Sequence, residues 1–262
     1  MKASNFSELT REARRLALVA GHEIMRFYAT GTTSRLKADK SPVTDADEAA
    51  DRLIVAGLEA AFPDIPVISE ESVETTGLAE SGIPTGRFWL VDPLDGTREF
   101  ISRNGEFTVN IGLIEDGRPI LGALHLPVLG ECYVGEAGVG AGLWREDEEP
   151  TTIATRDVPI GGPVVLASRS HLDPQTEAWI AGIASSTTTY AGSALKFAVL
   201  ARGDADLYPR FGRTMEWDTA AGHALLEAAG GVLTGPDGEP FRYGKPGFDN
   251  PHFIARGRST GQ

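Results

Sequence analysis

Two aspartates three residues apart, Asp92 and Asp95, flank a proline just ahead of Gly96 and Thr97. The apolar run Phe88 to Val91 has the composition of a buried strand and is expected to stop at Asp92. Both carboxylates would then sit at the mouth of a sheet, as hard oxygen ligands of the kind Mg2+ takes. A second short strand, Ile65 to Ser69, ends in Glu70 and Glu71. Asp218, in Trp217-Asp218-Thr219-Ala220-Ala221-Gly222, is read as the N-cap of a helix, able to cap with one oxygen and offer the other to a metal. Asp45, Asp47 and Glu48 fall in the first turn of a helix opening at Thr44. Each acid also has a plainer reading, because acids after strands solvate loops and acids at helix starts answer the dipole. Spacing alone does not show that they converge.

The elements that must position these residues follow from periodicity. Leu9, Ala13, Leu16, Ala20, Ile24 and Phe27 predict a helix over Ser7 to Ala29, with Gly31 as its C-cap. Leu36 to Pro42 is polar and reads as a mobile loop. Thr44, with an acid three residues on, resembles a capping box for a helix reaching Phe62 before Pro63. Phe107 to Ile114 and Pro119 to Leu126, joined through Asp116-Gly117, predict a hairpin, and Cys132 to Glu136 and Gly142 to Trp144 add antiparallel strands. Residues 1–150 thus read as an α+β half, two helices on a meandering sheet. From about Thr151 the pattern alternates: strand 163–168, helix 173–184, helix 193–201, strand 205–208, helix 219–229, strand 231–234. Residues 151–262 are therefore expected to be an α/β half, joined through the acidic, proline-containing stretch Glu146 to Thr155.

Composition bounds the rest. The chain has 262 residues, 41% hydrophobic and 23% charged, which suits a globular protein of one large or two modest domains. A formal charge of -13 argues against a nucleic-acid polymer as partner, since phosphate backbones call for positive excess. The single cysteine, Cys132, excludes an intrachain disulfide and is expected in the core. Met1 to Glu12 lacks an apolar signal core and no run reaches a membrane span, so a cytoplasmic protein is expected, free or peripheral on the inner membrane. Between Ser193 and Met215 lie Lys196, Arg202, Arg210 and Arg213 against Asp204 and Asp206 only, a local excess of cations that reads either as scattered surface charge or as an anion site. His22, His125, His223 and His252 are expected to be structural.

Asp92-Pro93-Leu94-Asp95-Gly96-Thr97 together with Trp217-Asp218-Thr219-Ala220-Ala221-Gly222 resembles the paired signature of the inositol monophosphatase superfamily of Mg2+-dependent, lithium-sensitive phosphatases. Three more segments, Gly192 to Phe197, Leu207 to Gly212 and Arg103 to Asn110, are similar to its bisphosphate-nucleotidase branch, which serves sulfur metabolism. The resemblance runs from the first helix to about residue 230 and implies a layered α-β-α-β-α sandwich. It implies two or three Mg2+ ions held by Glu70, Asp92, the Leu94 carbonyl, Asp95 and Asp218, with Asp92 bridging. Asp47 and Thr97 match the pair that orients and deprotonates the attacking water, and Glu71 would stand behind the ligands. The N–H groups of Gly96 and Thr97 would hold the transferred phosphate, while His171, Ser193, Lys196, Arg210 and Asp218 would hold the nucleotide. The implied substrate is a small 3'(2'),5'-bisphosphate nucleotide, with inositol or sugar phosphates as the alternative and a non-catalytic sensor as a remote one. Monomer and homodimer are both open. Ala194 departs from the second serine common in that branch, and Arg145 to Arg156 and the tail after Gly235 diverge.

Overall fold

The apolar stripe of the first segment is buried in the computed structural model, which describes residues 6–37, 42–76, 84–145 and 148–258. It forms helix α1 (Glu8–Thr30), capped by the Ser7 hydroxyl and closed by Gly31, whose left-handed backbone lets its N–H reach Phe27 O at 2.8 Å. Strands β1 (Ser34–Leu36) and β2 (Pro42–Thr44) pair antiparallel, so the expected mobile loop has ordered flanks; its centre, 38–41, lies outside the described residues. The Thr44 capping box is present and starts helix α2 (Asp45–Ala61). Strand β3 (Val67–Ser69) leads directly into helix α3 (Glu70–Thr76).

Strand β4 (Arg87–Asp95) corrects the sequence reading: it does not stop at Asp92. Pairing continues from Asp92 opposite Asn110 to Asp95 opposite Thr108, so three steps on β4 face two on its neighbour across a bulge. Pro93, which lacks the N–H that regular pairing needs, falls inside this bulge. Helix α4 (Thr97–Ile101) follows at once. Strands β5 (Thr108–Glu115) and β6 (Arg118–Leu126) form the expected hairpin, with both loop residues, Asp116 and Gly117, left-handed. Strands β7 (Glu131–Glu136), β8 (Gly140–Arg145) and β9 (Thr151–Ile153) complete a seven-stranded sheet in which only β3 and β4 run parallel.

The later segments build a five-stranded sheet in the order β11-β10-β12-β14-β13, from β10 (Val164–Ser168), β11 (Thr187–Ala191), β12 (Leu207–Arg210), β13 (Val232–Thr234) and β14 (Phe253–Arg256). Its helices are α5 (Pro174–Ala181), three residues shorter than expected at its C-terminus, α6 (Leu195–Ala201) and α7 (Glu216–Ala228).

Alternation along the strands assigns the layers. Trp89, Val91, Ile111 and Val134 pack under α1 and α2, while Phe88, Leu90, Leu124 and Tyr133 face the opposite way, into one core with Phe197, Leu225 and Phe253. Val165 and Ala167 point outward against Ile180 of α5, and Leu166 between them points inward. The result is the α-β-α-β-α sandwich, an α+β layering with α6 and α7 between the sheets. Close approach of α7 depends on glycine: a Cβ on Gly122 would lie 2.2 Å from the Ala221 carbonyl oxygen. Cys132 is in the core, its thiol pushed up to about 12 by burial.

Candidate active site

The bulge in β4 turns Asp95 toward a cleft and leaves Asp92 beneath it, 2% exposed. Leu94 lies within the bulge, outside the paired register, and its carbonyl takes a 3.4 Å bond from the Thr97 hydroxyl. Glu70 arrives from the start of α3, and Asp218 from the start of α7. Asp218 is not the N-cap expected from sequence. The helix opens three residues earlier, with Met215 in the cap position, and Asp218 reaches back to accept from Met215 N at 2.8 Å. Its capping oxygen is Oδ2, which leaves Oδ1 for the cleft.

A cavity of about 240 Å3 opens at this seam, lined by Glu70, Asp95, Gly96, Thr97, His171, Ser193, Lys196, Arg210 and Asp218 among others. Asp92, Asp47, Glu71 and the Leu94 carbonyl stand behind that wall. Asp92 and Asp218 are pushed well above the ordinary carboxylate range, first by burial and then by the neighbouring acids. Burial also raises Asp95 to about 6, outweighing Lys196 and the Ala194 N–H. Glu70 is raised by burial against the pull of Lys37. Buried like charges facing one another are costly unless a cation compensates them.

The hydrogen bonds leave oxygens available for one. Asp92 Oδ1 accepts from Leu94 N, Asp95 Oδ2 from Ala194 N at 2.6 Å, and Asp218 Oδ2 from Met215 N; their second oxygens accept no hydrogen bond among the described residues. An all-oxygen, anionic donor set of this kind suits a hard divalent cation. Among the described residues the acids do not close into a finished ligand shell. Lys37, whose side chain is 4% exposed, instead bridges Glu70 and Glu71 at 2.8 Å each.

Asp47 lies behind Thr97. It is the third residue of α2, 3% exposed, and accepts from Thr44 N at 2.8 Å, Thr44 Oγ1 at 2.6 Å and Thr97 Oγ1 at 3.1 Å. Burial raises its carboxyl to about 6 despite these donors, with Glu71 nearby adding to the rise. A carboxylate tuned toward neutrality and joined to a hydroxyl on the cleft wall can accept a proton from a water held there.

The same cleft is also lined by cations. Lys196 is 3% exposed, lies over the Tyr208 ring and donates to the Ala191 and Ser193 carbonyls; burial lowers its pKa to about 8. Arg210 Nη1 donates to the His171 carbonyl at 2.8 Å, while its buried Nε has no hydrogen-bond partner among the described residues. Burial and the adjacent Arg210 lower His171, which favours its neutral form at pH 7. Of the cations in the 193–215 cluster, Arg202 is elsewhere, against Tyr133 and Asp204. Arg213 joins Lys196 and Arg210 at the cleft, as does Arg98.

Sequence reasoning missed Lys37, Glu99 and Asn110, whose side-chain amide reaches Asp95 Oδ2 at 3.5 Å. Glu99 is 3% exposed and accepts from Ser170, and no local pattern marks it. Lys37 sits in a stretch whose polarity said loop and nothing more. His125 and His223 are buried and hydrogen-bonded within the fold, away from the cleft.

The sequence model of the inositol monophosphatase family matches residues 5–257. The 3'(2'),5'-bisphosphate nucleotidase CysQ of Escherichia coli K12 is 45% identical over 243 residues, covering 91% of this chain and 95% of that protein. The crystal structure of CysQ from Bacteroides thetaiotaomicron superposes with a TM-score of 0.83 at 38% identity, over 97% of this chain and 98% of the other. An IMPase from Thermotoga maritima superposes at 0.77 with 25% identity, over 95% and 92%. This chain is a CysQ-type member of the inositol monophosphatase family of phosphatases.

Proposed function

We propose that the protein is a Mg2+-dependent 3'(2'),5'-bisphosphate nucleotidase that hydrolyses adenosine 3',5'-bisphosphate to AMP and phosphate, with the sulfated analogue as a second substrate. One observation carries the reading: a single cleft is lined both by the carboxylates of Glu70, Asp95 and Asp218 and by Lys196, Arg210 and Arg213. A substrate with two phosphates matches that polarity, one phosphate among the acids through a cation and the other on the basic residues. Glu70, Asp92, the Leu94 carbonyl, Asp95 and Asp218 are the groups that would hold Mg2+. The ion supplies charge neutralisation to the phosphoryl group and makes a water more acidic.

The chain's own residues do the rest. Thr97 Oγ1, between Asp47 Oδ1 and the Leu94 carbonyl, orients the attacking water, and ionised Asp47 takes its proton through the Thr97 hydroxyl. The water oxygen bonds to phosphorus as the ester P–O bond breaks toward the ribose oxygen, so no covalent nucleophile is needed. Gly96, left-handed at the start of α4, and Thr97 line the cleft, and their N–H groups would hold the transferred phosphate. His171, Ser193, Lys196 and Arg210 hold the nucleotide and its 5'-phosphate, and Glu71 stands behind Glu70, sharing Lys37 with it.

The test is phosphate release from adenosine 3',5'-bisphosphate, its sulfated form, inositol 1-phosphate and fructose 1,6-bisphosphate, with and without Mg2+. The bisphosphate nucleotide should give the highest kcat/KM, only with Mg2+, and Lys196→Ala with Arg210→Ala should selectively depress it. A higher kcat/KM for inositol 1-phosphate assigns the protein to inositol phosphates instead. No turnover of any member would leave a non-catalytic sensor.

A further inference from the structure

The nucleotide side of the cleft is carried by two short backbone pieces of the second sheet, and both are tied to a single segment of the first. The Ser193 turn is held at both ends: Glu106 Oε2 accepts from Gly192 N at 2.8 Å, and Asp95 Oδ2 accepts from Ala194 N at 2.6 Å. Between these anchors Ser193 has φ 41, a left-handed backbone that a serine adopts only when its surroundings impose it. The loop after β10 is held in the same way. Arg169 Nε and Nη2 fork onto both Glu106 oxygens at 2.7 and 2.8 Å, and Ser170 Oγ donates to Glu99 Oε1. Arg169 Nη2 also reaches the Tyr190 carbonyl at 2.8 Å, which locks the loop to the strand that feeds the turn. Burial works against ionisation of Glu106, yet Arg169 and the Gly192 N–H hold its carboxyl below the ordinary range.

Glu106 does not line the cavity; besides a through-space pull on Lys196, it acts on a substrate through the pieces it holds. Contact is close: a Cβ on Gly192 would lie 2.9 Å from the Glu106 carbonyl oxygen and 2.8 Å from Glu99 Cγ. The turn therefore has no slack against this segment. Asp95 is a metal-facing acid and anchors the same turn, so the distance between the two ends of the cleft is set by Asp95, Glu99 and Glu106 together.

We propose that Glu106, with Arg169 as its partner, is a positioning residue for bisphosphate selectivity: it fixes the spacing of Ser193 and His171 from the hydrolytic end. This rests on the nucleotidase reading above. A substrate with one phosphate engages only the hydrolytic end and gains little from that spacing; a substrate with two phosphates needs both ends at a set separation. Glu106→Gln keeps an acceptor for Gly192 N and loses the charge that binds Arg169. Glu106→Ala loses both anchors.

The experiment measures kcat and KM of the full-length protein with Mg2+ for adenosine 3',5'-bisphosphate and for adenosine 3'-monophosphate. Wild type should prefer the bisphosphate; if it does not, the nucleotidase reading fails before the variants are considered. Given that preference, Glu106→Gln should raise KM for the bisphosphate about tenfold, or about 1.4 kcal/mol. Its kcat should be little altered, the monophosphate should lose far less, and Glu106→Ala should go further in the same direction. Equal losses on both substrates, or a fall in kcat with KM unmoved, overturn the proposal. So does an unchanged KM ratio in Glu106→Gln. If Glu106→Ala does not fold, Glu106→Gln and Arg169→Met carry the same comparison, and Arg169→Met should reproduce the KM effect.

Discussion

Replacing Asp47 by asparagine should remove activity and strengthen the fold at once. Asp47 is 3% exposed, and its pKa rises from the ordinary 3.8 to about 6, burial being the largest cause. The folded carboxyl therefore keeps its proton at pH values where the unfolded one has released it. Stability from this group is full below 3.8 and is lost as pH rises through about 6, a total of about 3 kcal/mol. At pH 7.5 the ionised side chain is a burden on the fold. In Asp47→Asn the new side chain would keep an oxygen toward the Thr44 N–H and turn its amide to Thr97, whose hydroxyl can still donate to Leu94 O. The rearranged hydrogen bonds cost about 1 kcal/mol, which leaves a net gain of about 2 kcal/mol. Urea unfolding in EDTA at pH 7.5 should show that gain, shrinking toward pH 5. Steady-state kinetics with Mg2+ should show kcat down by about 10²–10⁴, the range for losing a positioned base. An Asp47→Asn protein that turns over within tenfold of wild type, or that is less stable at pH 7.5, refutes the assignment.

Other outcomes follow from the same geometry. Asp92→Asn should stay folded by circular dichroism but lose Mg2+ affinity, by calorimetry, at least about 100-fold, since even outer-shell partners of a metal ligand cost 10–100-fold. Gly122→Ala drives a methyl group against the Ala221 carbonyl, 2.2 Å away, and should cost about 2 kcal/mol or more in denaturant melts. Because α7 carries Asp218, it should also lower activity. His125 is buried, its pKa lowered to about 4 from 6.5, chiefly by burial, so the unfolded state binds its proton first. That stability is present above 6.5 and lost as pH falls toward 4, by about 3 kcal/mol. His125→Asn, which can still donate to Glu131 O, should flatten this part of the wild-type stability curve.

What the chain discloses locally and what it hides divide along a physical line. The hairpin at Asp116-Gly117, the capping box at Thr44 and the apolar run of β4 are legible because each signal lies within a few residues of its effect. Even so, the end of β4 was not, because Pro93 reads as a stop. Pairing resumes at Asp95 only because β5 offers Thr108 as a partner, which no window around Asp92 contains. The sequence points to Asp218 instead of Met215 as the cap for a similar reason. Glu216 looks like a solvated acid ahead of the helix, yet it is fully buried inside it, held by Lys245 and by the Gly244 and Lys245 N–H groups. The same separation governs the site. Acids that recur at element ends can be found by pattern, whereas Glu99 reaches Ser170 across 71 residues and Glu106 reaches Gly192 across 86. Glu99 has no local reason to be noticed, and Glu106, although it lies in the Arg103 to Asn110 segment, has nothing beside it that points to Gly192. Carboxylates at element ends thus leave a local pattern, while the long-range contacts that tie the walls of the cleft together leave none.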